Sequence, residues 1–182
     1  LNNVEDGGDM AAQYENDWED PRLSMEGFVT DYIVWRLVAK EELQWPEAPT
    51  VCAGADREHA GMRSMCELTE GTFDVEGLLE LDFDDFKEVL EEIGGSDEEG
   101  GMSYGKMVNL LSCASLVCLG HARKHNWTDI QRIANLTAEF VQEGIRVSWK
   151  ETERSWAGFL AETDRILEAQ SRCRLQLFER SL

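Results

Sequence analysis

Cations are scarce in this chain, with 17 Lys and Arg against 37 Asp and Glu in 182 residues and a formal net charge of −20. Nucleic-acid affinity rests on Lys and Arg meeting phosphates, so a polynucleotide partner is disfavoured. No run of 18 apolar residues occurs, and a membrane-spanning helix needs about 20. Residues 1–20 are polar and acidic, unlike the apolar core of a secretory signal. The five cysteines are odd in number and form no C-x-x-C, which fits free thiols in a reducing, cytosolic compartment better than a disulfide scaffold. There is no glycine-rich phosphate loop, no nucleophile elbow and only three His, so no catalytic constellation stands out. Acid runs such as Asp97-Glu98-Glu99 read as solvated loop.

What is present points to a packed domain. The hydrophobic share is 42% with six Trp and seven Phe, and a chain of this length buries roughly 70% of the surface its unfolded form exposes. Residues 1–20 read as a flexible acidic leader, and 21–180 as one helical domain. Asp20-Pro21 has the form of a helix start, an N-cap acid followed by Pro at the first helical position. Phe28, Tyr32 and Trp35, with Val29, Ile33 and Leu37, recur at three and four residues, predicting an amphipathic helix to about Leu43. A weaker helix is expected over 56–69 and a short turn over 73–79. Phe83, Phe86, Val89, Leu90 and Ile93 predict a helix from about Asp82 that stops at Gly94-Gly95.

From Tyr104 to Leu119 the chain is apolar on nearly every face, the mark of a helix at the centre of a bundle. Asn126 is placed to cap the next helix, with Thr128-x-x-Gln131 as a capping box beside it. Ile130, Ile133, Phe140 and Val141 carry that helix onward, and two Trp, 149 and 156, introduce a final segment. The reading is all-α, seven or eight helices around one buried hydrophobic helix.

Four segments then carry a resemblance. Ser103-Tyr104-Gly105-Lys106-Met107-Val108 resembles the Asn-Trp-Gly-Arg-Ile-Val opening of the central helix in the Bcl-2 apoptosis-regulator family. Trp149 through Phe159 resembles the second homology region, with Arg154-Ser155 in place of the usual Gly-Gly. Val29 to Leu37 is similar to the fourth region, and Met62 to Thr69 to the third, with Cys66 standing for Gly and Glu67 for Asp. The four lie in the family's order across residues 22–165.

The resemblance implies a Bcl-2-like fold and a surface groove that sequesters the amphipathic death-motif helices of pro-apoptotic family members. Bottom-up, such a groove needs an apolar floor, pockets at helical spacing and a charge to set register. The candidates are Met65, Phe73, Phe86, Val89 and Ile93 for the walls, and Ser103, Tyr104, Gly105, Lys106, Val108 and Asn109 for the end of the central helix. Gly105 leaves room for a partner backbone. By resemblance Lys106 takes the place of the Arg that pairs with the ligand's Asp. From chemistry alone it also reads as a first-turn Lys reaching water.

The degenerate third region leans towards a pro-survival guardian, since a membrane-permeabilising effector must expose that helix as a ligand; the effector reading stays open. Family members often carry a C-terminal hydrophobic anchor, and the chain stops at Leu182 without one, leaving open whether an anchor has been removed. The implied location is cytoplasmic, with association to the mitochondrial outer membrane in the full-length protein. An acidic calcium sensor is the other class considered, but a loop from Asp74 to Asp85 puts Leu78 and Leu79 where an oxygen ligand and Gly are required. Cys118, His121 and His125 have a zinc-like spacing without a convincing fourth ligand, so no metal or other cofactor is expected.

Overall fold

The structure, a computed structural model, describes residues 13–95 and 100–181. Seven α-helices account for its regular elements, and no strand occurs among the described residues: α1 Met25–Glu41, α2 Asp56–Glu70, α3 Val75–Leu79, α4 Phe83–Gly94, α5 Tyr104–Arg123, α6 Trp127–Ser148 and α7 Trp156–Glu179. Helix α5 is the axis around which the others pack. Every residue from Leu110 to Ala122 is buried, as the all-round apolarity of that stretch requires. Ser103 starts α5 by accepting the Lys106 N–H at 3.1 Å. Close to its other end, a Cβ on Gly120 would lie 2.0 Å from the Leu79 carbonyl oxygen, so only glycine lets α3 abut α5 there.

Local capping accounts for most helix starts. Asp82 accepts the Asp85 N–H at 2.8 Å and opens α4, as its sequence signal predicts. Three expectations need correction. Asp20-Pro21 opens only a single 3-10 turn, Pro21–Leu23, and Ser24 then caps α1 through the Gly27 N–H at 3.2 Å. Asn126 precedes α6 but makes no side-chain cap bond. Its backbone, with φ −89° and ψ 68°, is not the extended conformation of a capping residue, and its amide donates instead to Asp129 Oδ2 at 2.7 Å and lies 3.1 Å from His121 Nδ1. The His121 Nε2 lies 3.0 Å from the Leu81 carbonyl, so this histidine ties the α3–α4 link to the end of α5.

The third concerns the leader. Residues 1–12 lie outside the described residues, but 16–20 fold onto the body. Asn16 and Glu19 bracket a 3-10 turn as a capping box. Trp18 meets Trp149 edge-on at 5.9 Å. Asp17 accepts the N–H groups of Trp156 and Ala157, each at 3.0 Å, so its carboxylate caps the start of α7. Nothing in the local acidity of residues 1–20 signals a contact to a helix some 140 positions away. The Asp97-Glu98-Glu99 run, expected as solvated loop, also lies outside the described residues.

Charged pairs fasten α2 to α1. Arg63 reaches Asp31 with Nε at 2.8 Å and Nη2 at 2.5 Å, and Lys40 meets Glu67 at 2.6 Å. Glu70, buried, accepts the Tyr32 hydroxyl at 2.6 Å, Arg36 Nε at 3.0 Å and the Ser115 hydroxyl at 3.0 Å. Burial alone would raise the Asp31 carboxyl, but hydrogen bonds from His59 and Arg63 and their charges outweigh it and hold Asp31 below the usual carboxylate range.

Candidate functional site

One cleft opens between α2, the first turns of α5, and α7. Its volume is about 390 Å³, and Met65, Tyr104, Val108, Phe159 and Ile166 supply its apolar lining. The floor is held rigidly. The Tyr104 hydroxyl donates to the Ser155 carbonyl at 3.0 Å and accepts the Ser155 N–H at 3.1 Å, so the ring locks the start of α7 to α5. Ser155 in turn caps α7 through the Gly158 N–H at 3.0 Å. Behind it the two tryptophans that mark this region, Trp149 and Trp156, meet at 5.2 Å and are fully buried. Tyr104 touches Trp149 and Phe159 edge-on at 5.6 and 5.8 Å.

The structure brings Met65, Ser103, Tyr104, Gly105, Val108 and Asn109 together in this cleft. Gly105, Val108 and Asn109 stand at i, i+3 and i+4, one face of α5. A Cβ built on Gly105 meets no atom within 4 Å, so the space above it is open. Cys66 is fully buried on the neighbouring turn of α2, with its Sγ 3.9 Å from the Val108 carbonyl. A small side chain there lets α2 lie close to α5. Burial pushes its thiol up to about 12.

Other expected groove residues sit elsewhere. Phe86 is completely buried and belongs to the core, because Phe86 and Leu90, one turn apart, form the inward stripe of α4. Val89 and Ile93, and Phe73 before α3, are half-buried against that core and do not line the cleft. Lys106 is also absent from its lining. It borders a second depression, of about 470 Å³, whose lining includes Phe140 and the two α6 acids Glu139 and Glu143. The reason is helical phase: Lys106 is about 100° around α5 from Gly105.

Sequence reasoning missed Thr69, Arg154, Glu162, Thr163, Phe159 and Ile166 as cleft-lining residues. For α7 a signal existed, since Phe159 and Ile166 lie seven apart on one stripe. Glu162, paired with Arg165 at 2.5 Å, is held below the ordinary carboxylate range by that hydrogen bond. The zinc-like Cys118, His121 and His125 do not converge: Cys118 is fully buried, while His121 is engaged by Leu81 and Asn126.

Comparison with known proteins agrees with this geometry. No family model matches the chain. The apoptosis regulators CED-9 of Caenorhabditis briggsae and Caenorhabditis elegans are each 34% identical to it, over 167 and 160 residues, covering 84% and 80% of this chain and 60% and 55% of theirs. The chain thus spans little more than half the length of these curated relatives. Among solved structures, CED-9 in a CED-9/EGL-1 complex superposes with a TM-score of 0.77 at 30% identity, covering 85% of this chain and 99% of that one. Caenorhabditis elegans CED-9 alone gives 0.75 at 29% identity, covering 88% and 99%. Trichuris suis BCL-2, at 19% identity and a TM-score of 0.62 over 85% of this chain and 98% of its own, shares the fold. The chain belongs to the Bcl-2 family of apoptosis regulators.

Proposed function

We propose that this protein is a pro-survival regulator that sequesters the amphipathic helix of a pro-apoptotic partner in the cleft between α2, α5 and α7, acting by binding and not by catalysis. The observation that carries the reading is the open, apolar strip over Gly105, flanked by Met65, Val108 and Phe159 on elements that the Tyr104–Ser155 bonds hold in place. A preformed site of this kind spares a ligand much of the ordering cost of binding. The partner class is supported by similarity to CED-9, which is known in complex with EGL-1.

The state of α2 supports the guardian over the effector. An effector must release this helix as a ligand for another molecule, whereas here Met62 and Cys66 are fully buried and Arg63, Glu67 and Glu70 are tied to α1. The proposed location is cytoplasmic, associated with the mitochondrial outer membrane; fractionation of cells expressing the protein tests this. Among the described residues no helix is long and apolar enough to cross a membrane.

Titration calorimetry with EGL-1 tests the binding reading, with an expected affinity of micromolar or better, about −8 kcal/mol. Gly105→Val is the informative variant: its side chain enters open space, so melting is little changed while binding falls at least tenfold. Undetectable heat with wild type, or full affinity in Gly105→Val, refutes the assignment.

A further inference from the structure

One corner of the molecule lies apart from the cleft. Where α1 ends and the chain turns towards α2, Val34, Val38, Leu43 and Trp45 line a depression of about 790 Å³, larger than the cleft itself. Trp45 is buried and anchors the loop, while Val38 is 51% exposed. Glu42 and Glu47 stand in the same lining, which holds no cation. Both hold left-handed backbone, with φ of 54° and 55°, a conformation that a non-glycine residue keeps only where its surroundings fix it. Neither carboxylate has a hydrogen bond or ion pair among the described residues. Nearby cations are spent elsewhere, Arg36 on Glu70 and Arg123 on Glu41.

The far part of α7 presents the opposite kind of surface. Residues 171–181 are exposed throughout, although the helix continues to Glu179. Leu175, Leu177 and Phe178 are 63%, 65% and 64% exposed there, and no other stretch of the described chain leaves three large apolar side chains so open. Leu177 and Phe178 follow Arg174 by three and four positions, so the three share one face. Over 172–180 three Arg stand against one Glu, in a chain whose overall charge is −20. Arg172 reaches Glu168 only at 4.0 Å, and an exposed pair of that kind is worth little.

We propose that the exposed end of α7 from one molecule docks in the α1–α2 corner of a second copy of this chain. Copies of so acidic a protein repel one another over most of their surface. The α7 end is cationic and apolar together, whereas the corner is apolar and anionic, so each fits the other where neither fits itself. Pairing of two α7 ends would set their arginines against each other. In the docked state Leu177 and Phe178 lie against Val38 and Leu43, and Arg174 and Arg180 face Glu42 and Glu47. An exposed apolar patch rimmed by charge is the kind of surface that association covers. Because end and corner are different patches, the contact is heterologous: every docked molecule still offers a free end or a free corner, and assembly does not stop at two. With one aromatic anchor the contact falls below the roughly 1,200 Å² of stable complexes, so it is weak and depends on concentration.

Sedimentation equilibrium on the whole chain tests this. The wild-type protein is expected to rise above its 20.7 kDa monomer mass between about 10 and 500 µM, the range of a weak contact. Glu42→Lys with Glu47→Lys, and separately Arg174→Glu with Arg180→Glu, each leave a monomer at every concentration. Their melting temperatures stay at the wild-type value, since all four side chains are exposed. Mixed in equal amounts the two variants associate again, because the reversed end of one meets the reversed corner of the other. Phe178→Ser abolishes association, and no charge variant restores it. A wild-type protein that stays monomeric throughout overturns the proposal, and so does a mixture of the two reversed variants that fails to associate. Association that survives the Glu42 and Glu47 reversal also overturns it, by placing two α7 ends against each other. If saturating EGL-1 dissolves the assembly while the Glu42 and Glu47 reversal does not, the end sits in the cleft and the corner is not its site.

Discussion

Removing the Glu70 carboxylate tests how firmly α2 is held to the rest of the bundle. Its two oxygens accept from Tyr32, Arg36 and Ser115, and the side chains of Arg36 and Glu70 are only 14% and 11% exposed. Glu70→Ala leaves a largely buried guanidinium and the buried Tyr32 hydroxyl without their acceptor, while the Ser115 hydroxyl keeps the Ser112 carbonyl at 2.9 Å. Breaking a buried pair by deleting one partner costs about 3–5 kcal/mol. Arg36 retains one recourse, because its Nη1 lies 3.7 Å from Glu41, so the lower end of that range applies. The expected loss is about 3 kcal/mol, which for a domain of this size lowers the melting temperature by roughly 6–12 °C. Urea unfolding followed by tryptophan fluorescence measures it, provided the denaturant slope is unchanged. The control is Arg36→Met with Glu70→Leu: removing the guanidinium as well restores apolar packing and recovers more than about 1 kcal/mol of the loss, the remainder coming from the Tyr32 hydroxyl left without its acceptor. A Glu70→Ala loss below about 0.5 kcal/mol, or a double variant no better than the single, would refute the argument that this cluster clamps α2.

Cysteine reactivity gives a second check: Cys52 and Cys173 are exposed and label rapidly in the native state, whereas Cys66, Cys113 and Cys118 label only on unfolding, since burial pushes their thiols up, to about 11 for Cys113. More than two fast thiols contradicts the packing of α2 and α5. Asp31 predicts a pH dependence. Its carboxyl is lowered in the folded state, so its contribution is complete above its unfolded value of 3.8 and is lost as pH falls below that. Asp31→Asn should flatten the acid limb of a stability–pH curve, and an unchanged limb counts against the Asp31–Arg63 pairing. Asp17→Ala removes a cap on two backbone N–H groups and should cost about 1 kcal/mol in chemical denaturation; no loss would mean that residues 16–20 do not brace α7 in solution.

Much of the architecture is written locally. The apolarity of 104–119 on every side admits only a central helix, Asp82 and Gly94-Gly95 bracket α4, and the spacing of Trp149 and Trp156 marks the corner that supports the cleft. These are signals of short range, carried by 3.6-residue periodicity and by which side chains satisfy the last unpaired backbone groups. Half of the cleft was legible for the same reason, because Gly105, Val108 and Asn109 share a face by helical phase alone.

Only the tertiary structure decided the rest. Helical phase also turns Lys106 away from that face, but what lies on either side of α5 depends on where α6 and α7 pack. Arg154 enters the cleft because a turn closes between Trp149 and Ser155 and Tyr104, some 50 residues earlier, pins it. Asp17 caps a helix that begins at residue 156, and Glu70 joins side chains at 32, 36 and 115. A carboxylate in a sequence shows its charge but not its partner. The partner is chosen when burial of the apolar faces brings distant helices together and each desolvated polar group must find a bond within reach.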